Sequence, residues 1–138
     1  MTRMIRRFAL NAGLIGCLGA STVACQSTRH WSDITLVNEH VSGVRLDGQN
    51  LTVPLGMIVA LNVDAHETTE RPVRSNETRG VDASTFIASS DDTGIAELAH
   101  HEDETFVLIA TGAGTTTVYL RSTSGSVYGR LSVTVSPP

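Results

Sequence analysis

The chain has 138 residues, with ten arginines and no lysine against fourteen acids, two cysteines and a net charge of −4. This length fits one domain of ordinary size and excludes a two-domain cofactor enzyme. Aromatic residues make up only 4% of the chain, so any core must be built mostly from Val, Leu, Ile and Ala.

The first element in chain order is a targeting segment. Arg3, Arg6 and Arg7 precede a largely apolar stretch of about 16 residues, Phe8 to Val23, and the small residue Ala24 stands before Cys25. A basic start, an apolar middle and a small-residue cleavage point make a secretory signal. The stretch is shorter than the roughly 20 residues that a membrane span needs. Residues 1–24 are therefore read as a signal peptide and kept out of fold reasoning. Their removal leaves 114 residues with seven arginines, fourteen acids and a net charge of −7. An acidic surface disfavours nucleic acid as a partner, because phosphate binding needs a basic one.

The sequence around the cleavage point, Thr22-Val23-Ala24-Cys25-Gln26, resembles that of bacterial lipoproteins, with Thr22 where leucine is usual. A second box, Leu14-Ile15-Gly16-Cys17, leaves too short an apolar core after Arg7. The resemblance implies cleavage before Cys25 and a diacylglyceryl group on its thiol. Two or more acyl chains hold a protein stably on a membrane, whereas one holds it marginally. Cys17 would leave with the signal, so no thiol would remain for a disulfide, a redox centre or a nucleophile. Gln26, in place of Asp after the lipidated cysteine, implies sorting to the outer membrane.

Residues 25–40 read as a lipidated tether, with Trp31 able to pack on the edge of the domain that follows. Strand signals begin near Val41. Val41–Leu46 and Leu51–Pro54 are short apolar pieces broken by the turn dipeptide Asp47-Gly48. From Met57 to Asp64, Val59, Leu61 and Val63 alternate with Ala60 and Asn62, the period-two pattern of a half-buried strand. His66 to Gly80 is charged and predicts a long hairpin or loop. Val81 to Ser90 carries Phe86, Ile87 and Ala88, and the polar run closed by Gly94 predicts a turn. Ile95–Ala99 is a short strand, and His100–Glu104 reads as a polar turn. Thr105–Ala110, Thr115–Arg121 and Val127–Val135 complete the set, separated by Gly112/Gly114 and by a turn containing Gly125.

No segment of the mature chain predicts a helix. About seven short Thr- and Val-rich strands at this spacing predict an all-β sandwich over residues 41–136, because one-sided strands need a second sheet to bury against. The segments LTVPLGMIVAL, ASSDDTGIAEL, TFVLIATGAGTTTVYL and VYGRLSVTV together resemble the group 2 bacterial immunoglobulin-like domain. Ile87 stands near the Ser-Ser-Asp turn where that family often has Trp. The resemblance implies an immunoglobulin-like sandwich used for surface display, spacing or adhesion, with no cofactor and no catalytic group.

Several strings carry residues capable of chemistry. Asp92-Thr93-Gly94 matches the aspartic-protease triplet, which needs two carboxylates about 3 Å apart; its polar flank, Ser89-Ser90-Asp91, suits a turn instead. His66, His100 and His101, with Asp91 and Asp92, are weak candidate metal ligands, but no tight ligand motif is present. Calcium at the Asp91, Asp92, Asp103 and Glu104 turns would need about six to eight oxygens. Arg71, Arg74 and Arg79 in the charged hairpin are candidate binding residues, interleaved with Glu67, Glu70 and Glu77. The expected function is a non-enzymatic, lipid-anchored envelope or surface module that presents loops to a protein or glycan, or serves as a structural part of a surface complex. The alternative is a small hydrolase or metal-dependent binding protein using the His/Asp-rich turns.

Overall fold

Leu51 and Val53, Val59, Leu61 and Val63, and Leu131, Val133 and Val135 recur every second residue, and all are buried. Period-two spacing puts such residues on one face of an extended strand. A computed structural model shows what these faces meet. It describes residues 27–71 and 74–138, without the side chains of residues 71, 74 and 75. The predicted signal peptide 1–24 and Cys25 lie outside the described residues.

Ten strands are present among the described residues: β1 (Ser27–Leu36), β2 (Arg45–Asp47), β3 (Asn50–Pro54), β4 (Ile58–Arg71), β5 (Arg74–Val81), β6 (Ile87–Ser90), β7 (Ala96–Glu102), β8 (Thr105–Ala110), β9 (Gly114–Arg121) and β10 (Val127–Ser136). Sheet A has the order β1-β4-β8-β7, with β5 paired to β4, and sheet B has the order β2-β3-β10-β9-β6. The one helical element described is a 3-10 turn, Ala83–Thr85, started by the Asp82 carboxylate, which accepts from Ser84 N at 2.9 Å.

The chain divides into two compact units. The smaller includes residues 27–29 and 68–78, the end of the β4–β5 hairpin. Within it the Thr68 and Thr78 hydroxyls meet at 2.9 Å, and Ser27 Oγ donates to Glu70 at 3.0 Å.

The larger unit, residues 30–67 and 79–138, contains the core of an all-β sandwich. Leu61, Val63, Phe106 and Leu108 from sheet A are buried in one cluster with Leu51, Val118, Leu120 and Leu131 from sheet B. β10 lies centrally in sheet B, parallel to β3 with Val133 opposite Leu51 and antiparallel to β9 with Leu131 opposite Val118.

The sandwich has ten strands where about seven were expected, for identifiable reasons. The expected tether 25–40 carries β1, whose inward positions His30, Ser32, Ile34 and Leu36 mix polar with apolar residues and so hide the alternation. The described part of the charged segment 66–80 lies in two paired strands, β4 to Arg71 and β5 from Arg74. The expected turn His100–Glu104 is mostly strand: β7 continues through His100 and His101 to Glu102, held by its pairing with β8. The turn itself narrows to Asp103 and Glu104, with Asp103 at φ 47°, a left-handed conformation that Asp tolerates better than most residues.

Candidate functional site

The two flanks of the sandwich differ. On one, β6 and β7 lie side by side, joined by the 91–95 turn. On the other, β1 edges sheet A and β2 edges sheet B, and among the described residues the gap between them is open. β10 deepens the gap: over Val127–Leu131 it pairs with β9, and its parallel partner β3 begins only at Asn50, opposite Ser132. The hollow there measures about 560 Å³ and is lined by Trp31, Asp33, Ile34, Gln49, Val127 and Arg130, among others. A second hollow of about 330 Å³ shares Ile34 and Leu46 with it and extends the trough to Leu36 and Glu39.

Local sequence explains how β1 forms one wall. Gly129 lets β1 approach β10: a Cβ there would lie 2.8 Å from Ser32 Oγ and 3.0 Å from Leu120 Cδ1. Ser32 Oγ instead donates to the Tyr128 carbonyl at 2.8 Å. The register of β10 against β9 shifts between Val127 and Gly129, and both Tyr128 and Gly129 are buried. A bulge of this kind re-aims a side chain, here the Tyr128 ring, which lies 4.7 Å from His30 and 4.7 Å from Phe86 between centroids.

Below the trough lies a polar cluster. The Tyr128 hydroxyl donates to Glu67 Oε2 at 3.1 Å, Arg79 donates to Glu67 Oε1, and His30 Nδ1 stands 3.9 Å from Oε2. His30 Nδ1 is buried, with no hydrogen-bond partner among the described residues. Burial pushes the Glu67 carboxyl upward, but hydrogen bonds from Arg79 and Tyr128, with the nearby charges of Arg79 and His30, hold it below the ordinary carboxylate value. Burial, and then the hydrogen bond and charge of Glu67, raise the Tyr128 hydroxyl above its ordinary value. With both oxygens engaged in this way, the Glu67 carboxylate ties β4 to β5 and β10.

At the mouth of the trough, Trp31 is 38% exposed and stacks on His66 with centroids 4.4 Å apart and planes 25° apart. His66 Nε2 is 3.1 Å from Asp64 Oδ1. His100 turns to the other end of sheet A, with its Nε2 2.8 Å from the Asp103 carbonyl and its ring edge-on to Phe106. His101 Nε2 is 4.0 Å from Glu102. Among the described residues, no three His, Cys, Asp or Glu side chains gather where one metal ion could be held.

Asp92 and its neighbours shape a turn. Asp92 Oδ1 accepts from Gly94 N at 2.9 Å, Asp92 N donates to Thr116 Oγ1 at 3.0 Å, and the Asp92 carbonyl accepts from Ile95 N at 3.1 Å. Gly112 packs against this turn so closely that a Cβ on it would strike the Gly94 carbonyl oxygen. Asp91 Oδ2 accepts from the Tyr119 hydroxyl at 3.2 Å. Of the three candidate hairpin arginines, Arg79 is ion-paired to Glu67. The side chains of Arg71 and Arg74 lie outside the described residues.

The trough was not foreseen from sequence. It joins residues nearly a hundred positions apart, such as Ser32 and Tyr128, which no local pattern in the sequence reveals. No protein-family model matches this chain, and no curated protein is significantly similar to it. Among the described residues, no helix is long and apolar enough to cross a membrane.

Proposed function

We propose that this chain is a non-enzymatic binding module of the bacterial envelope, lipid-anchored at Cys25, that grips an extended partner along the trough beside β1. The observation that carries the reading is the trough itself. It follows β1 from His30 to Leu36, with the exposed apolar surfaces of Trp31 and Val127 and the opposite charges of Asp33 and Arg130 on its walls. A concave surface with apolar walls and a few placed polar groups is the usual form of a binding site. Its length suits an extended segment of an envelope protein. The hydrogen bond from Ser32 to the Tyr128 carbonyl ties the β1 wall to β10, and a preorganised wall lowers the entropic cost of binding.

The anchoring half of the proposal rests on Arg3, Arg6, Arg7, the apolar run and Ala24-Cys25. It implies attachment to the outer membrane, given Gln26, and the sandwich resembles the group 2 bacterial immunoglobulin-like family in its strand and turn pattern. Cys25→Ser is expected to abolish palmitate labelling and move the protein from membrane to soluble fractions, whereas Cys17→Ser leaves both unchanged. Equal labelling of the Cys25→Ser chain would refute the anchor. For the trough, a photo-crosslinking residue at Trp31 is expected to capture an envelope protein in intact cells, and one at Glu97, exposed on the far edge strand β7, is not. Equal capture at both positions would count against the trough.

A further inference from the structure

The outward face of sheet B forms an ordered polar surface away from the trough mouth. The strand registers place its side chains in rows. Arg45, Thr52, Thr134 and Thr115 stand in one row, and Asp47, Asn50, Ser132 and Thr117 in the next. Arg130, Tyr119 and Ser89 form a third row, and Arg121 lies opposite Ile87 in a fourth. Neighbouring strands stand about 4.8 Å apart and successive outward residues of one strand about 6.8 Å apart, so the face is a grid of hydroxyl and amide groups. The Thr115 and Thr134 hydroxyls already meet across strands at 3.2 Å.

Charge is distributed unevenly over this grid. Arg45 is matched by Asp47 at 3.7 Å. The Arg121 guanidinium lies 4.9 Å from the Tyr119 ring centre, and Arg130 is the cross-strand neighbour of Tyr119. Among the described residues, no ion pair engages Arg121 or Arg130. The Tyr119 hydroxyl donates to Asp91 Oδ2 at 3.2 Å. A chain with an acidic balance overall thus shows two uncompensated guanidinium groups around one aromatic ring, beside rows of hydroxyls.

We propose that this face binds a carboxylated glycan. A guanidinium fork matches a carboxylate in two parallel hydrogen bonds. Serine and threonine hydroxyls both donate and accept, which suits the hydroxyl groups of a sugar ring. The Tyr119 ring supplies an apolar surface for sugar C–H groups beside its own polar tip. An anionic membrane would draw on a denser cluster, typically about four to eight basic residues, and the net negative charge opposes nucleic acid. Arg130 also borders the trough, but Arg121 does not, so Arg121 reports on this face alone.

The test is a titration of the isotope-labelled full chain with tetragalacturonic acid and, separately, with its methyl ester, which keeps the shape and removes the charge. The acid is expected to shift the backbone amide signals of Tyr119, Arg121 and Arg130 more than that of Trp31, and to bind more weakly as salt rises. Arg121→Ala is expected to weaken binding about three- to tenfold, and Arg121→Ala with Arg130→Ala more than about tenfold. Arg121→Lys should restore part of the loss, since the charge returns without the fork. Equal affinity for the methyl ester, shifts confined to the trough, no saturable binding, or unchanged affinity in the double variant would overturn the proposal. So would phosphatidylglycerol vesicles competing equally well for the face, which would make it a membrane surface. Failure of the trough crosslinking leaves this outcome untouched, because Trp31 reads the trough and Arg121, which does not border it, reads this face.

Discussion

The outward rows of sheet A and sheet B are built on the same alternation, yet they show different chemistry to water. In sheet A, Ile58 lies opposite Ile109, which lies opposite Glu97, and Ala60, Val107 and Ala99 make the next row. Ile58 is 66% exposed. Asp33 and Asp64 add acid to the same sheet. Sheet B has mostly Thr, Ser, Asn, Tyr and Arg in the corresponding places, with Asp47 at one edge and the exposed Ile87 and Val127 flanking Arg121. The inward rows are nearly alike, since both are Val, Leu and Ala with Phe106 and Tyr128 as the large members. Folding constrains the inward set, because every member must fill the shared core. The outward set is much less constrained by packing, so its difference is where partner preference can be written.

The strongest way to break the comparison is to remove what both faces share. Phe106→Ala is expected to destabilise the sandwich by about 3–5 kcal/mol, because Phe106 is fully buried between the sheets. Urea unfolding would show one transition moved to lower denaturant, with both faces lost together; a change confined to sheet A would contradict a common core. A milder cut separates β1 from β10. Gly129→Val would push Ser32 and Leu120 aside, costing about 1–3 kcal/mol and altering Trp31 fluorescence while leaving glycan binding to sheet B in place.

The Glu67 cluster can be probed through pH. Glu67 is more acidic in the folded chain, so its contribution is present above the ordinary carboxylate pKa and lost as pH falls through the folded value. Tyr128 is less acidic when folded, so its contribution is present below the ordinary tyrosine pKa and lost as pH rises through the folded value. Glu67→Gln should flatten the acid side of the stability profile, and Tyr128→Phe the alkaline side, in unfolding midpoints measured between about pH 3 and pH 11. Unchanged profiles would show that the cluster is dispensable. The smallest effect is expected from Ile58→Ser, within about 0.5 kcal/mol of the parent, with Arg121-dependent binding unaffected. A large loss of stability would mean that the exposed face of sheet A takes part in packing.

Elements with strong alternation were legible in the sequence. Val59, Leu61 and Val63 in β4 and Leu131, Val133 and Val135 in β10 declared their inward faces, and Asp92 to Gly94 declared a turn. β1 was not legible because two of its inward residues, His30 and Ser32, pair with partners that only the folded chain supplies. The β7 extension through His100 and His101 was hidden because an edge strand can carry polar residues on both faces. The trough had no local signature at all: it depends on where β3 stops beside β10 and on a bulge at Tyr128. The Glu67–Arg79 pair lies between the two, since interleaved charges in a hairpin suggested pairing but not that Glu67 would reach Tyr128.

The placement of β10 has a consequence for how the chain acquires its structure. Its partner β3 precedes it by some eighty positions, as the pairing of Val133 with Leu51 shows. A growing polypeptide that ends before Val127 therefore lacks the middle strand of sheet B and the residues Leu131, Val133 and Val135 that close the core. Contacts of such separation make folding slow and late. Nascent β3 and β9 stay without a common neighbour until Val127–Ser136 has been made, so sheet B closes around β10 rather than strand by strand in chain order.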